Sequence, residues 1–287
     1  MWWRGKDSNL RRPKSTGLQP APFDRFGTPP KKTILIRGHL LHYVLMKINI
    51  NKSREFYILG KHPVLEIFKN KSIRLIKIYI QKQNLKYFDK SNTKIEIVEK
   101  NFFKKISINK DYVHQGFAAK VYDYNHDIDQ IFNLDTNILA LDAINDPRNL
   151  GAIFRNCLAF NIKDIIVEKK YYTFDSIAMH LASSGATEHL RIYEVSNINN
   201  IIKILRKKNF WIYGLDAKSN EKLETFEMTS KKNVFILGNE GHGIQLNTKK
   251  LCDNILSISI DKKLDSLNVS STSAILLYEL KKKTAQI

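Results

Sequence analysis

The sequence predicts an α/β protein in which a parallel sheet fills the C-terminal half and a smaller α/β unit precedes it. Three observations lead there. From residue 137 onward, short apolar runs alternate with longer amphipathic segments, the βαβα rhythm of a parallel sheet covered by helices. Between residues 56 and 121, apolar residues recur with period two around a short helical stretch. Across 287 residues, hydrophobic side chains make up 43% and charged ones 26%, the balance of a chain that buries a core. No stretch approaches the roughly eighteen consecutive apolar residues of a membrane-spanning helix, so a membrane partner is not expected.

Residues 1–45 stand apart. They carry nine basic and two acidic side chains, and five of the seven prolines fall before residue 31. Such a break in composition marks a tail rather than a core, and no apolar block follows the basic start as a secretory signal requires. The expectation is a disordered or spurious extension, with Met46 as the natural start.

A small unit is expected over 46–122. Pro63–Phe68 reads as a short helix with proline in its first turn, where a missing N–H is harmless. Ile76–Ile80 and Ile95–Val98 alternate as half-buried strands, and Gly116–Val121 is a third. The polar run Asp123–Asp127 opens a linker over 123–134. The second unit, 135–287, has strands at Asn137–Leu141, Ile165–Val167, Phe210–Gly214, Val234–Leu237 and Leu256–Ile260. Its helices are expected at Leu150–Phe160, Ile198–Lys208 and Ser270–Lys283. Parallel sheets bind ligands at the carboxyl ends of their strands, so the loops after Leu141 and Leu237 are where to look.

The first of these loops, Asp142–Gly151, leads into a helix carrying Arg155. Asn149 suits an N-cap as well as a functional role, and Arg155 in an otherwise apolar helix calls for an anion. The second, Gly238-Asn239-Glu240-Gly241-His242-Gly243, places three glycines after a buried strand, as if backbone approached a ligand. Its G-x-x-G-x-G spacing is neither a dinucleotide fingerprint nor a phosphate loop, which excludes a nicotinamide-dependent oxidoreductase. Glu240 would repel phosphates and suits hydroxyl, amine or sulfonium groups; a lone His242 in a glycine loop is incidental. A third stretch, Asp265–Ala274, opens the last helix with small hydroxyl residues of the kind that cap and pack. Cys157 and Cys252 cannot build a disulfide scaffold or a four-ligand zinc site, no metal is implied, and reducing cytoplasm is the expected compartment.

Together the three loops resemble the motifs of the SpoU/TrmH family of RNA ribose 2′-O-methyltransferases: D-P-x-N-L-G-x-x-x-R, L-G-x-E-G-x-G and S-L-N-V-S all stand here in order. Ser183-Ser184-Gly185-Ala186 resembles the family's S-x-G-A stretch. Leu59–Glu66 and His114-Gln115-Gly116 resemble its N-terminal RNA-binding unit. The resemblance covers about residues 56–282. It lapses at Ser259–Lys263, where the family carries an I-P-M-x-G loop, and at Ser271-Thr272-Ser273, where small apolar residues are usual.

The resemblance implies a SPOUT-type methyltransferase domain tied in a deep trefoil knot, which rules of chain topology alone would not propose. It implies S-adenosylmethionine bound through Gly238, Ile258 and Leu267, and a polar site of Asn149, Arg155, Glu240, Ser266 and Asn268. Arg155 is the family's proposed general base. A guanidinium with a pKa above about 12 rarely gives up its proton, and stabilising a developing alkoxide explains the placement equally well. The N-terminal unit points to ribosomal RNA, most specifically a guanosine of 23S rRNA. Alternatives are a tRNA nucleotide or a non-catalytic rRNA-binding homologue. A homodimer is implied. The formal net charge of +19, of which residues 1–45 hold +7, agrees with a polyanionic partner.

Overall fold

The computed structural model describes residues 48–89, 94–107, 112–228 and 230–284; the extension expected over 1–45 lies outside them. The first elements are β1 (Ile48–Leu59), α1 (Lys61–Lys69), β2 (Leu75–Ile80), β3 (Ile95–Ile97), α2 (Lys100–Ile106) and β4 (Phe117–His126). They form a four-stranded sheet in the order β1-β4-β2-β3, with β4 antiparallel to both neighbours and β3 parallel to β2. Period two separates its faces. Phe56, Ile58, Phe117, Ala119 and Val121 pack against Val64 and Ile67 of α1, while Leu59 and Ala118 turn the other way toward Phe103 of α2.

The predicted linker needs correction. Asp123–His126 continues β4, paired back along β1 as far as Ile48, and a 3₁₀ turn follows over Ile128–Asn133. Its polar side chains have partners that one-dimensional reading cannot see. Arg54 lies 3.5 Å from Asp123, the Tyr124 hydroxyl donates to the Thr187 carbonyl at 3.1 Å, and the His126 ring packs 5.8 Å from Tyr193.

The larger sheet comprises β5 (Asn137–Leu141), β6 (Asp164–Glu168), β7 (Arg191–Val195), β8 (Trp211–Leu215), β9 (Glu221–Lys222), β10 (Asn233–Leu237) and β11 (Asn254–Ser257). Interleaved are α3 (Pro147–Ala159), α4 (Ile177–Ser183), α5 (Ile198–Lys207), α6 (Leu246–Lys249) and α7 (Val269–Thr284). Every pairing is parallel and the order is β7-β6-β5-β10-β8-β11-β9. Leu139 and Leu141 point into a core with Ile153 and Phe154 of α3 and Leu276 and Leu280 of α7. Ile138 and Ala140 point the opposite way, toward Ile202 and Leu205 of α5. Helices therefore cover both faces, which is why β6 and β10 are buried throughout and β5 is buried beyond Asn137. β11 ends at Ser257, two residues into the predicted strand Leu256–Ile260, so Ile258 already belongs to the following loop.

Strand order fixes the site. The chain runs outward from β5 through β6 to β7, then returns to place β8 and β10 on the other side of β5. The carboxyl ends of β5 and β10 lie side by side, Leu141 against Leu237, at the switch point where such sheets open a crevice. Both sheets belong to one compact unit. Gly185, at φ +89, faces α1 so closely that a Cβ there would lie 2.8 Å from the Glu66 side chain, which joins two of the family-like stretches in space.

Candidate active site

The loops after β5 and β10 are stapled together. Asp142, wholly buried, accepts from the backbone N–H and the side-chain amide of Gln245, both at 2.8 Å. The Asn239 amide donates to the Ala143 carbonyl at 3.0 Å. α3 then starts at Pro147, capped by Asp146, whose carboxylate accepts from the N–H groups of Arg148 and Asn149 at 2.7 and 3.0 Å. Since Asp146 supplies the cap, the Asn149 side chain is released for other work.

The glycine loop closes on itself. Asn239 and Gly243 exchange backbone hydrogen bonds at 3.0 and 2.8 Å, and the Asn239 side chain accepts from the Gly241 N–H at 2.9 Å. At Gly238 a Cβ would lie 2.1 Å from the Gly243 carbonyl carbon, so glycine is required by the loop's own backbone. Gly243, at φ +67, is where the loop opens onto free space, with no atom within 4 Å of a Cβ.

These constraints bring three of the expected polar residues together. Glu240 Oε1 accepts from Asn149 Nδ2 at 2.9 Å, from Asn268 Nδ2, and from the Val269 backbone N–H at 3.3 Å. Asn268 Nδ2 also reaches Asn149 Oδ1 at 3.2 Å. On its far side, Asn268 Oδ1 accepts from the Ser270 N–H at 2.8 Å and from its hydroxyl. Two carboxamides from separate loops are thus oriented by one carboxylate oxygen, charge-assisted bonds that are about twice as strong as neutral ones. Glu240 Oε2 has no hydrogen bond among the described residues and remains available.

The other expected residues fall around this cluster. Arg155 is exposed on α3 and makes no ion pair among the described residues. Ser266 is exposed, outside the hydrogen-bonded cluster, and Leu267 beside it is half-buried. Ile258 is half-buried against the α3–α7 core, and Ser259 N–H donates to Glu224 at 2.9 Å where the family motif lapses. His242 is exposed and without a partner among the described residues. Burial pushes the Cys252 thiol up to about 12 and Cys157 higher still, so neither supplies a thiolate. Among the described residues no group of three His, Cys, Asp or Glu side chains is placed to hold a metal.

Sequence reasoning missed the brace behind the cluster. Asn156 of α3 donates to the Ser270 carbonyl and the Ser273 hydroxyl, both at 2.9 Å, and Ser273 donates to Ser270 at 2.6 Å. The unusual Ser271–Ser273 stretch therefore contributes a wholly buried hydroxyl that ties α7 to α3. A polar residue inside an apolar helix face, one residue after Arg155, was the available signal.

Known proteins resemble this chain over both sheets. Residues 136–278 match the family model of the SpoU rRNA Methylase family, and residues 57–126 that of RNA 2′-O ribose methyltransferase substrate binding. The chain is 37% identical over 205 residues to an uncharacterized tRNA/rRNA methyltransferase of Borreliella burgdorferi, covering 67% of this chain and 89% of the relative. It is 32% identical over 173 residues to the 23S rRNA (guanosine-2′-O-)-methyltransferase RlmB of Escherichia coli K12, covering 58% and 71%. Among solved structures, the SpoU methyltransferase AviRb of Streptomyces viridochromogenes, in complex with AdoMet, superposes with a TM-score of 0.70 at 19% identity, covering 82% and 92%.

Proposed function

The chain belongs to the SpoU family of rRNA methylases, and from that premise we propose that it transfers a methyl group from S-adenosylmethionine to a ribose 2′-hydroxyl of RNA at the carboxyl ends of β5 and β10. The observation that carries this reading is the convergence of Asn149, Glu240 and Asn268 on one carboxylate oxygen at the switch point of the sheet.

The residues present fit the cofactor. Gly243 opens onto free space, Ile258 and Leu267 present half-buried apolar surface from neighbouring loops, and Glu240 keeps one carboxylate oxygen unpaired beside them. Bound there, the cofactor supplies an electrophilic methyl on a sulfonium. Gly238, Ile258 and Leu267 would hold it. Asn149 and Asn268, locked by Glu240, fix the ribose so that its 2′-oxygen approaches along one line; such positioning is worth up to about 7–11 kcal/mol in well-oriented reactions. Arg155, exposed and unpaired, is free to hold an RNA phosphate and stabilise charge developing on that oxygen. Ser266 stands at the rim as a further hydroxyl contact.

The substrate we infer is ribosomal RNA, a guanosine of 23S rRNA in particular. The substrate-binding match over 57–126 and the likeness to RlmB support it. The small sheet, extended to His126 where β4 ends, is the RNA-binding domain, and residues 135–287 are the methyltransferase domain. A trefoil knot is part of the reading, supported by the insertion of β10 between β5 and β8 and by the return of α7 onto α3. So is a homodimer, supported by exposed Leu158 on α3 and Ile275 and Tyr278 on α7. Its compartment is the cytoplasm, where ribosomal RNA is made; no described helix is long and apolar enough to cross a membrane. Incubation with labelled S-adenosylmethionine and total ribosomal RNA, followed by mapping of the modified ribose, tests the proposal. Label on a single 2′-oxygen is the expected result; label on a base or none would refute it.

A further inference from the structure

Away from the catalytic cluster, a cleft of about 790 Å³ opens where β4 of the small sheet meets β7, the edge strand of the large one. Arg54 comes from β1, Asp123 and Tyr124 from β4, Glu194 from β7, and Lys169, Tyr172 and Phe174 from the loop that leaves the carboxyl end of β6. Asn125, Thr173 and Asp175 add further polar groups, so that polar and charged side chains outnumber the three aromatic rings; a cleft between two packed sheets is a usual place for a ligand.

Arg54 and Asp123 are paired and the Tyr124 hydroxyl is spent on Thr187, but two of the polar groups are not engaged. The Glu194 carboxylate, half-buried, makes no hydrogen bond or ion pair among the described residues, and neither does the Tyr172 hydroxyl. Burial, and then the charge of Asp123, pushes the Glu194 carboxyl up, and burial holds the Tyr172 hydroxyl well above its ordinary range. Both groups face the cleft without a hydrogen-bond partner among the described residues, open to a ligand. At the rim the Arg54 guanidinium lies 4.2 Å from the centre of the Phe174 ring, and Lys169 is exposed, its charge acting with that of Arg54 on Glu194.

A free cation would be met by Arg54 and Lys169, and a free anion by Asp123 and Glu194. The arrangement suits a ligand that carries both signs of demand: N–H donors on a flat ring for the floor and a phosphate for the rim. Unpaired nucleotides have that composition, and proteins read them by stacking on aromatic or guanidinium planes and bonding their edges. Of the four bases, guanine presents two adjacent N–H donors on one edge, which a carboxylate accepts as a pair.

We propose that this cleft captures an unpaired guanine of the RNA strand whose ribose is methylated, with Glu194 reading the base edge, Arg54 and Phe174 stacking, and Lys169 holding the phosphate. The inference rests on the methyltransferase reading for the identity of the strand. β7 stands three strands from β10, about 14 Å at the usual strand spacing, so the captured base is a neighbour of the methylated nucleotide and not that nucleotide itself. Cleft and catalytic cluster share the carboxyl edge of the sheet, along which the strand would run.

The test uses fluorescence anisotropy with the full chain and short oligouridylates that carry one guanosine, one inosine or none. The wild type is expected to bind the guanosine oligomer about tenfold more tightly than the plain one, with inosine between them. Glu194→Gln should erase that preference and leave plain-oligomer affinity unchanged, whereas Lys169→Ala should weaken all three equally. A wild type without preference, or a preference surviving Glu194→Gln, overturns the proposal. Methyl transfer to total ribosomal RNA is scored separately. Transfer without base preference sinks only the cleft, and base preference without transfer sinks only the catalytic reading.

Discussion

Arg74 and Glu188 form an ion pair that joins the two sheets, each side chain only 4% exposed. Arg74 stands at the start of β2 and Glu188 in the 3₁₀ turn after α4, and the guanidinium also lies 4.8 Å from the Tyr124 ring centre. A pair so deep contributes little net stability, because desolvation offsets its attraction, but removing one partner strands a buried charge. Arg74→Met or Glu188→Leu alone should therefore destabilise by about 3–5 kcal/mol. The double substitution should recover most of that loss. Urea midpoints of the four proteins measure it, and a double mutant as unstable as the worse single would show the pair to be stabilising in itself.

Asn149 and Asn268 are bonded to each other and to the same oxygen of Glu240. Removing a hydrogen bond to a charged group costs about 1.5–3 kcal/mol, so Asn149→Ala and Asn268→Ala should each slow methyl transfer roughly ten- to a hundredfold. Because each loss also frees the other amide, the double variant should be slowed by much less than the product of the singles. Single-turnover rates at saturating cofactor give the comparison. Strict additivity would mean that the two amides act independently, against the shared-oxygen geometry.

The role proposed for Arg155 separates chemistry from cofactor binding. The residue is exposed on α3 and makes no ion pair among the described residues. Arg155→Ala should abolish transfer while cofactor affinity, measured by calorimetry, stays nearly unchanged. Arg155→Lys should retain part of the activity, since an ammonium still stabilises negative charge but cannot bridge two oxygens. A collapse of cofactor affinity in Arg155→Ala would move this residue from the RNA side of the site to the cofactor side.

Much of this was legible in one dimension wherever burial was complete on both faces. β5, β6 and β10 read as strands because nothing polar interrupts their cores. β7 escaped notice because Arg191 and Glu194 break its apolar run; in space Arg191 Nε donates to buried Asp164 at 2.6 Å and Glu194 faces the cleft. The linker reading failed for the same reason, since Asp123 and Tyr124 find polar partners far along the chain and the His126 ring packs on Tyr193. At the site, the motifs named Asn149, Glu240 and Asn268, which the fold brings together from the first turn of α3 and two loops. It could not show that Asp146 takes the capping role, that Gly238 is demanded by its own loop, or that Arg155 points to solvent. Those facts depend on which carbonyls and N–H groups the turns bring together.

Two buried histidines give the fold a defined acid limit. His180, on α4 beneath Phe56, has its pKa lowered to about 3 by burial and then by the Arg74 charge, and burial and Arg191 lower His126 to about 4. Both titrate near 6.5 in the unfolded chain. Between these limits the unfolded state binds protons that the native state refuses. Their stabilising contribution is complete above pH 6.5 and declines as pH falls toward the folded values. Each neutral histidine then steepens the loss by up to about 1.4 kcal/mol per pH unit. Above pH 5 few carboxylates have begun to titrate, so unfolding free energies between pH 6.5 and 5 isolate the histidines. His180→Gln, which keeps a polar side chain beside the Phe174 carbonyl that the ring now meets at 2.8 Å, should lower stability at pH 7 and flatten that slope by about one proton. An unchanged slope would mean that His180 is protonated in the folded protein, and that the Arg74–Glu188 layer above it carries one more positive charge than the geometry accommodates.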